Sequence, residues 1–229
     1  MAITEIERLR IEIRETLLSG DDIDYAKRMK TYTKDKFEYI GLSAGGRRTL
    51  IKPLIKKAKS LTVDDRFILA ESLWQERYRE CHYAAMDVLT TVESKIDDSY
   101  LPRVESLIAS HSWWDTVDWL ASHLAGAICR RPSPDTEAYL LKWLSSDNIW
   151  LNRTCLIHQL FYRDDTNFEK LKDYIYALEH KKEFFIQKAI GWSLRQYSKV
   201  NPYEVEEFID SNPVLSNLAR REGMKHINK

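Results

Sequence analysis

The residues with the clearest chemical potential are an aspartate and a tryptophan one helical turn apart, in the stretch SWWDTVD at residues 112–118. Ser112 and Asp115 have the spacing of a capping box, which predicts that a helix begins there. Trp114 and Asp118 then lie on one face of that helix, so an aromatic surface stands beside a carboxylate. A carboxylate next to an exposed indole is a candidate functional site.

The two consecutive tryptophans cannot both face the same core, because neighbouring residues on a helix point about 100° apart. Tryptophan is mostly buried in proteins, so simple packing is the alternative interpretation for each indole taken alone. We expect one of Trp113 and Trp114 to be exposed or to line a cleft.

A repeat of 35 residues extends the candidate site to two further helices. Asp118, Arg153 and Lys188 are separated by two equal steps of this length. A period near 35 to 45 residues with two helices per unit is typical of an α-solenoid. The other positions in register are Asp115 with Trp150 and Phe185, Leu120 with Cys155 and Ile190, and Tyr83 one step before Asp118.

Equivalent positions of successive repeats stand side by side on the concave surface of a solenoid, so Asp118, Arg153 and Lys188 are expected to form a row. Burying a carboxylate among cations is costly, which favours a solvated groove for this row. Trp114 lies one turn before Asp118, and Trp192 one turn beyond Lys188. The predicted groove therefore holds two indoles that flank a carboxylate and a guanidinium.

The composition favours an all-helical protein around this row. The chain has 229 residues, 44% of them hydrophobic, with only 7 glycines and 6 prolines. Low glycine and proline content is typical of helical folds, and the length is sufficient for one large domain or one repeat array. No long stretch alternates with period two. We predict an all-α solenoid of helical pairs, as a single domain over residues 1–229.

Start and stop signals predict where several helices lie. An amphipathic helix is predicted over 4–18, and a second from Asp22 or Asp24 to about Tyr39. The GLSAGG stretch at 41–46 should break the pattern, and Thr62 should open a helix that ends at Trp74. Further helices are predicted near 79–92 and 99–109, and later ones are separated by polar breaks at 131–135, 145–148, 163–167, 200–202 and 211–213.

Charge and cysteine content restrict the class of protein. The formal net charge is zero, with 35 basic and 35 acidic side chains, so any nucleic-acid partner must be held by a local patch. Three unclustered cysteines indicate a reducing compartment without a disulfide framework. Neither a signal peptide nor a membrane span is evident, and we expect a cytoplasmic protein. The histidines show no metal-binding spacing, so no metal is expected.

Three long motifs resemble the HEAT-repeat alkylpurine DNA glycosylases, the AlkD family of DNA alkylation repair enzymes. They are SWWDTVD (112–118), SSDNIWLNR (145–153) and HKKEFFIQKAIGWSLRQY (180–197). Their order and spacing also fit, and the likeness weakens before about residue 60. The resemblance implies a HEAT-like solenoid of antiparallel helical pairs with a concave DNA-binding groove. It also implies removal of N3- and N7-alkylated purines, and of bulkier cationic adducts, without a cofactor.

By motif position, the resemblance implies that Asp118 is the catalytic aspartate. It assigns Trp114 and Trp192 to the two cleft tryptophans, and Arg153 to the cleft arginine. It further implies that the damaged base stays in the stack of duplex DNA while the N-glycosidic bond is hydrolysed. The partner is therefore double-stranded DNA that contains alkylated bases, with no membrane involved, and we expect a monomer.

Elementary chemistry agrees with these roles. An unperturbed aspartate has a pKa of about 3.9, so Asp118 should be ionised at neutral pH, where it can stabilise a cationic transition state. Arg153 is expected to bind a phosphate near the lesion, because a guanidinium binds phosphate oxygens in bidentate fashion. Six cations are expected to contact the DNA backbone: Arg47, Arg48, Lys181, Lys182, Lys188 and Arg195. A solvated helix face is the alternative for the basic run that contains Arg47 and Arg48.

The start of the chain departs from the family pattern. Where the family presents a tyrosine and a glutamine to DNA, this sequence has Arg28 and Ser43, and Gly45 and Gly46 replace a proline and an acid. A catalytically silent relative that binds damaged or branched DNA is therefore one competing function. A helical-repeat scaffold for proteins is the other, because the repeat alone would favour it and the neutral charge does not exclude it.

Overall fold

Polar caps mark where most helices begin, because a side-chain oxygen can accept a backbone N–H group that the first turn leaves unpaired. Thr62 Oγ1 accepts from the backbone N–H of Asp65, and Asn167 Oδ1 accepts from that of Lys170. Ser133 and Thr136 form a reciprocal capping box. Helices thus begin at the ends of the polar stretches near 131, 145 and 163, as the sequence predicts.

The computed structural model describes residues 4–227. Within that range the regular structure is helical and contains no β-strand, apart from an isolated bridge between Glu38 and Tyr78. The predicted all-α class is confirmed. None of the helices in residues 4–227 combines the length and the apolar composition that a bilayer crossing requires.

The chain folds into two compact units. The first ends at Ile96, and the second begins at Asp97. The single domain predicted over 1–229 stays a prediction. In the first unit, Leu9, Ile13 and Leu17 form the buried stripe of the first helix, as its amphipathic pattern predicts. The helices of this unit are α1 (Glu5–Leu18), α2 (Ile23–Tyr32), α3 (Ala44–Ala58), α4 (Val63–Trp74) and α5 (Arg79–Leu89).

The second unit stacks consecutive helical pairs. Its helices are α6 (Leu101–Ala109), α7 (Trp114–Trp119), α8 (Gly126–Cys129), α9 (Pro134–Leu144), α10 (Ile149–Ile157), α11 (Phe168–Leu178), α12 (Phe184–Tyr197), α13 (Pro202–Ser211) and α14 (Asn217–Gly223). The second helices of successive pairs pack together, α10 on α12 and α12 on α14. Leu120, Cys155 and Ile190, which occupy one position of the predicted 35-residue repeat, are all fully buried.

The segment between α2 and α3 differs from the prediction. The helix that was expected to reach about Tyr39 ends at Tyr32, because Lys34 and Asp35 adopt left-handed backbone angles that an α-helix does not accept. The predicted break at 41–46 ends early as well. Ser43 caps α3 by accepting the backbone N–H of Gly46, so the first turn of α3 lies inside the predicted break.

A close approach between α12 and α14 gives a prediction about stability. A methyl group at Gly191 would lie 2.5 Å from Cβ of Glu222 and 2.8 Å from the carbonyl oxygen of Ala219. Gly191→Ala should force the helices apart and lower the free energy of unfolding by about 1–3 kcal/mol. Urea denaturation measures the change.

The control is Gly45→Ala, because a methyl group on Gly45 meets nothing within 4 Å. That substitution should raise the free energy of unfolding by up to about 1 kcal/mol, since alanine favours helix more than glycine does. Equal stability of Gly191→Ala and the wild type would contradict the close approach.

Candidate functional site

A pocket of about 370 Å³ lies in the second unit, between residues of α7, α10, α12 and α14. We call it the aromatic pocket. Four of the residues on its wall are aromatic and five are charged, so ionic groups are set among rings. Its lining residues are Trp114, Asp118, Arg153, Phe184, Phe185, Lys188, Trp192, Arg195 and Glu222. The structure thus brings together the two tryptophans and the row of Asp118, Arg153 and Lys188 that the sequence predicts.

The helix that carries Asp118 begins differently from the prediction. The hydroxyl of Ser112 donates back to the carbonyl oxygen of Ile108 on α6, at 2.6 Å, and does not cap α7. Trp113 occupies the N-cap position with extended backbone, without a side-chain cap. The predicted capping box is therefore wrong, because the serine hydroxyl is engaged with the preceding helix.

Burial separates the two consecutive tryptophans as the sequence predicts. Trp113 is buried, and its ring centroid lies 5.7 Å from that of Trp150 and 5.0 Å from that of Phe185. Trp114 is half-buried and lines the aromatic pocket. Three stacked repeats therefore contribute one ring each to a packed cluster next to Trp114.

A π-helical segment, Leu120–Ala125, follows α7 directly. The hydroxyl of Ser122 donates to the carbonyl oxygen of Asp118 at 2.6 Å. Beyond the segment, Gly126 approaches α10 so closely that a Cβ there would lie 2.6 Å from the carbonyl oxygen of His158. The wider π turn therefore lies between the helix that presents Asp118 and the glycine that approaches the end of α10.

Asp118 and Arg153 form a bidentate ion pair. Arg153 Nε donates to Asp118 Oδ1 at 2.7 Å, and Nη2 donates to Oδ2 at 2.9 Å. Burial raises the pKa of Asp118 above its ordinary value, and the hydrogen bonds and charge of Arg153 offset part of that rise. The expectation of an unperturbed pKa near 3.9 is therefore too low.

Arg153 lies behind Asp118 on the wall of the aromatic pocket. Its side chain is only 5% exposed, and Nη1 donates to the carbonyl oxygen of Phe185. The guanidinium also lies 6.0 Å from the ring centroid of Trp192. Each of its three nitrogens has a protein acceptor, so Arg153 holds Asp118 in place, and its contact with a phosphate stays a prediction.

Glu222 forms ion pairs with two of the cations that were expected to contact DNA. Its carboxylate accepts from Arg195 Nη1 at 2.6 Å and from Lys188 Nζ at 3.2 Å. Lys225 Nζ lies 2.6 Å from the same carboxylate. Burial acts to raise the pKa of Glu222, but the hydrogen bonds from Lys225 and Lys188 outweigh it and lower that pKa to about 2.

Sequence reasoning missed Glu222, although one signal was available. A further step of 35 residues beyond Lys188 reaches Gly223, the direct neighbour of Glu222. It also missed Phe184 and Phe185, which lie at the start of α12; Phe184 is 59% exposed. The register had marked Phe185 only as an equivalent of Trp150.

Two further cations in the second unit lie near the loop before α12. Lys181 Nζ donates to Asn152 Oδ1 at 2.7 Å, and Lys182 is exposed with Nζ 3.3 Å from the carbonyl oxygen of Glu179. The amide of Gln187 donates to the carbonyl oxygens of Lys181 and Glu179. These bonds tether the loop, and contact of its lysines with DNA stays a prediction.

In the first unit, Arg47 and Arg48 share the carboxylate of Asp87, and their contact with DNA stays a prediction. Arg47 is 5% exposed, and Nε donates to Asp87 at 3.1 Å, so its guanidinium is directed into the protein. Arg48 is exposed and lies 3.4 Å from the same carboxylate. Of the two departures from the family pattern, Ser43 caps α3, and Arg28 is exposed on α2 with its guanidinium 5.4 Å from the ring of Tyr25.

The cysteines are not suited to nucleophilic chemistry. Cys81, Cys129 and Cys155 are buried and form no disulfide. Burial raises the pKa of the thiols of Cys81 and Cys129 to about 12, so their reactive thiolate forms are rare at neutral pH. Within residues 4–227, no group of three or more His, Cys, Asp or Glu side chains is arranged to hold a metal ion.

Comparisons with known proteins agree on one family. A sequence model of the family described as DNA alkylation repair enzyme matches residues 13–227. Among solved structures, the chain is similar to a protein from Enterococcus faecalis described as a predicted DNA alkylation repair enzyme, with a TM-score of 0.83. The two are 32% identical, over 92% of this chain and 98% of that one. No curated protein matches the chain.

A double-mutant cycle measures the ion pair of the aromatic pocket. Arg153→Met should lower the free energy of unfolding by about 3 kcal/mol, because it leaves a largely buried carboxylate without its partner. Asp118→Asn should lower the free energy of unfolding by less, because asparagine keeps an oxygen that accepts a hydrogen bond from Arg153. The double variant should be more stable than the sum of the single changes predicts, by about 1–3 kcal/mol.

The matched control is the exposed pair of Lys27 and Asp24, 3.5 Å apart on α2. The corresponding cycle with Lys27→Met and Asp24→Asn should give a coupling energy below about 0.5 kcal/mol. Similar coupling energies in the two cycles would refute a special contribution of the Asp118–Arg153 pair.

Proposed function

Since the chain belongs to the family of DNA alkylation repair enzymes, we propose that it is a monofunctional DNA glycosylase. Its substrates are cationic N3- and N7-alkylated purines in double-stranded DNA. Hydrolysis of the N-glycosidic bond releases the base and leaves an abasic site, the first step of base excision repair. No cofactor takes part in the proposed reaction.

The observation that carries the proposal is the placement of Asp118 in the aromatic pocket. Its side chain is 17% exposed in a pocket that two half-buried indoles also line, and Arg153 holds it from behind. A carboxylate fixed in this way needs little rearrangement to act on a charge that develops beside it. The ionised form is the one that acts.

Alkylation makes the reaction suitable for a single carboxylate. An alkyl group on N3 or N7 gives the purine a positive charge, so the base departs as a neutral molecule and needs little help from a general acid. The sugar then develops oxocarbenium character. A carboxylate about 4 Å from that charge contributes on the order of 4 kcal/mol, or roughly three powers of ten in rate. Asp118 can also orient the attacking water.

The two indoles supply the selectivity. Trp114 and Trp192 can pack against the cationic nucleoside, where a cation–π contact contributes about 0.5–2 kcal/mol. An ordinary nucleoside is uncharged and lacks this attraction. The pocket can therefore favour damaged bases without hydrogen bonds that read the identity of the base.

Lys188 supports the monofunctional reaction. A glycosylase that also cleaves the strand uses an amine nucleophile, which must be unprotonated to attack the sugar. Lys188 lies on the pocket wall, but its ammonium donates to the carboxylate of Glu222. An ammonium paired with a carboxylate is a poor nucleophile, so the expected product is an intact strand with an abasic site.

The direct test is release of 7-methylguanine and 3-methyladenine from methylated duplex DNA. The wild type should release both bases, and Asp118→Asn should lose about three powers of ten in the single-turnover rate, because the charge that stabilises the transition state is gone. Circular dichroism and duplex binding establish that the variant is folded.

The matched control for this test is Asp173→Asn, an exposed aspartate on α11 outside the pocket, which should keep the wild-type rate. Full activity in Asp118→Asn would refute the mechanism. Salt-sensitive DNA binding without base release by the wild type would instead identify a silent binder, and absence of both would favour a protein scaffold.

The pH dependence gives an independent prediction. Activity requires the ionised carboxylate, so it is present above the pKa of Asp118 and is lost as the pH falls through that value. Because burial raises this pKa, the acid limb of the single-turnover profile should lie above about 3.9. Base release between about pH 4 and pH 7 measures it, after subtraction of non-enzymatic release.

Arg153→Met should move the acid limb to higher pH, because it removes the cation that favours the ionised form. The residual rate of Asp118→Asn should lack the limb altogether. A wild-type limb at or below the ordinary value for aspartate would contradict the assignment of Asp118.

A further inference from the structure

Glu222 is the interior member of a cluster in which the cations face outward. Its side chain is 6% exposed, whereas those of Arg195, Lys188 and Lys225 are 24%, 36% and 48% exposed. One carboxylate accepts from all three, so the cluster retains a net positive charge. The carboxylate therefore supports the cations from behind and does not neutralise them towards the solvent.

The Asp118–Arg153 pair has the opposite order of exposure. There the side chain of Asp118 is 17% exposed and that of Arg153 is 5% exposed, so a buried cation supports an outward anion. Both sets of charges line the aromatic pocket. The pocket thus presents one negative group and, separately, a pair of positive groups, each backed by a buried partner of opposite sign.

Helix geometry accounts for the position of Glu222. Lys188 and Arg195 are seven residues apart on α12, which places them on one face with Gly191 between them. The missing side chain of Gly191 allows α14 to approach until Cβ of Glu222 lies where a Cβ of residue 191 would collide. The carboxylate of Glu222 can therefore accept from a cation one turn before and a cation one turn after.

This arrangement matches the charges of one nucleotide of an alkylated strand, a cationic base next to an anionic phosphate. We propose that Glu222 is a positioning residue, which holds Lys188 and Arg195 as the binding site for a single DNA phosphate beside the lesion. The inference rests on the proposed function for the identity of the lesion. Each cation gives one N–H donor to Glu222, and the other donors can bind phosphate oxygens.

Positioning differs from attraction by charge alone. Long cationic side chains lose rotamer freedom when they bind, and immobilising them beforehand removes that cost and fixes where the phosphate sits. The lesion is then placed against Asp118 with the precision that the reaction requires. Without Glu222, the two cations would still attract DNA but would no longer select one phosphate.

The experiment places an uncharged methylphosphonate at each phosphate in turn around a stable abasic analogue in duplex DNA. Binding to the wild type should weaken by about tenfold at one position, the value expected for loss of a charged hydrogen bond. Lys188→Met and Arg195→Met should each abolish the effect at that same position. Because the analogue is not hydrolysed, this readout does not depend on excision.

Glu222→Gln gives the decisive comparison. In this variant, the loss of affinity at the most sensitive phosphate should be less than about twofold larger than at the other positions. Affinity for the unmodified duplex should stay the same or rise, because the variant removes a negative charge near the DNA. A purely structural role would instead weaken binding at all positions alike and leave the preference intact.

Two controls accompany this variant. Lys225→Met removes a cation that pairs with Glu222 but does not line the pocket, and Glu207→Gln removes an exposed acid on α13. Both should keep the wild-type preference for one phosphate. Circular dichroism melting establishes that each variant is folded.

The inference is overturned if the wild type prefers no single phosphate, or if folded Glu222→Gln keeps the wild-type preference. If Glu222→Gln does not fold, Lys188→Met and Arg195→Met test the shared site. The site is refuted if the two variants lose the methylphosphonate effect at different phosphates, or if neither loses it. A wild type that binds in this way but releases no base would refute the proposed function and leave the phosphate site supported.

Discussion

The aromatic pocket depends on the ion pair between Asp118 and Arg153. A single guanidinium on α10 binds the carboxylate of α7 with two nitrogens and the carbonyl oxygen of Phe185 on α12 with a third. Removing these charges from water is costly, and the cost is recovered only when every donor has an acceptor at the right distance. The three helices must therefore keep their relative positions, and the packed rings of Trp113, Trp150 and Phe185 maintain that spacing.

In this molecule, how deeply each charged side chain is buried is more informative than how many charged side chains there are. The chain carries equal numbers of acidic and basic side chains, so its net charge indicates nothing about a polyanionic partner. At the aromatic pocket, however, each outward charge has a buried counterpart: Asp118 is backed by Arg153, and Lys188 and Arg195 by Glu222. Partly buried charges are screened less by salt than freely exposed ones.

The sequence predicted the position of the pocket better than the partners within it. The equal spacing of Asp118, Arg153 and Lys188 identified one wall, because residues at equivalent positions of stacked repeats become neighbours. Which member of an ion pair lies deeper depends on contacts between helices, which the spacing does not contain. For that reason the depth of Arg153 could not be predicted, and Glu222, one residue short of the next step, was missed.

Local signals failed where a tertiary or backbone contact competed with them. Ser112 has the right spacing for a cap, but its hydroxyl bonds to Ile108 on the preceding helix. Arg47 belongs to a run of cations that resembles a solvated face, yet it turns inward to Asp87. The second helix ends before Tyr39 because Lys34 and Asp35 take left-handed angles, which their residue types do not announce.

The π-helical segment after α7 changes the direction in which the residues that follow it point. In a continuous α-helix, the direction of Asp118 would fix the direction of Gly126 two turns later. The wider turn at Leu120–Ala125 uncouples the two, so Asp118 can face the pocket while Gly126 packs against the carbonyl oxygen of His158. A substitution on the side of Asp118 therefore need not disturb the packing of Gly126, and the residues before and after the π segment can change independently.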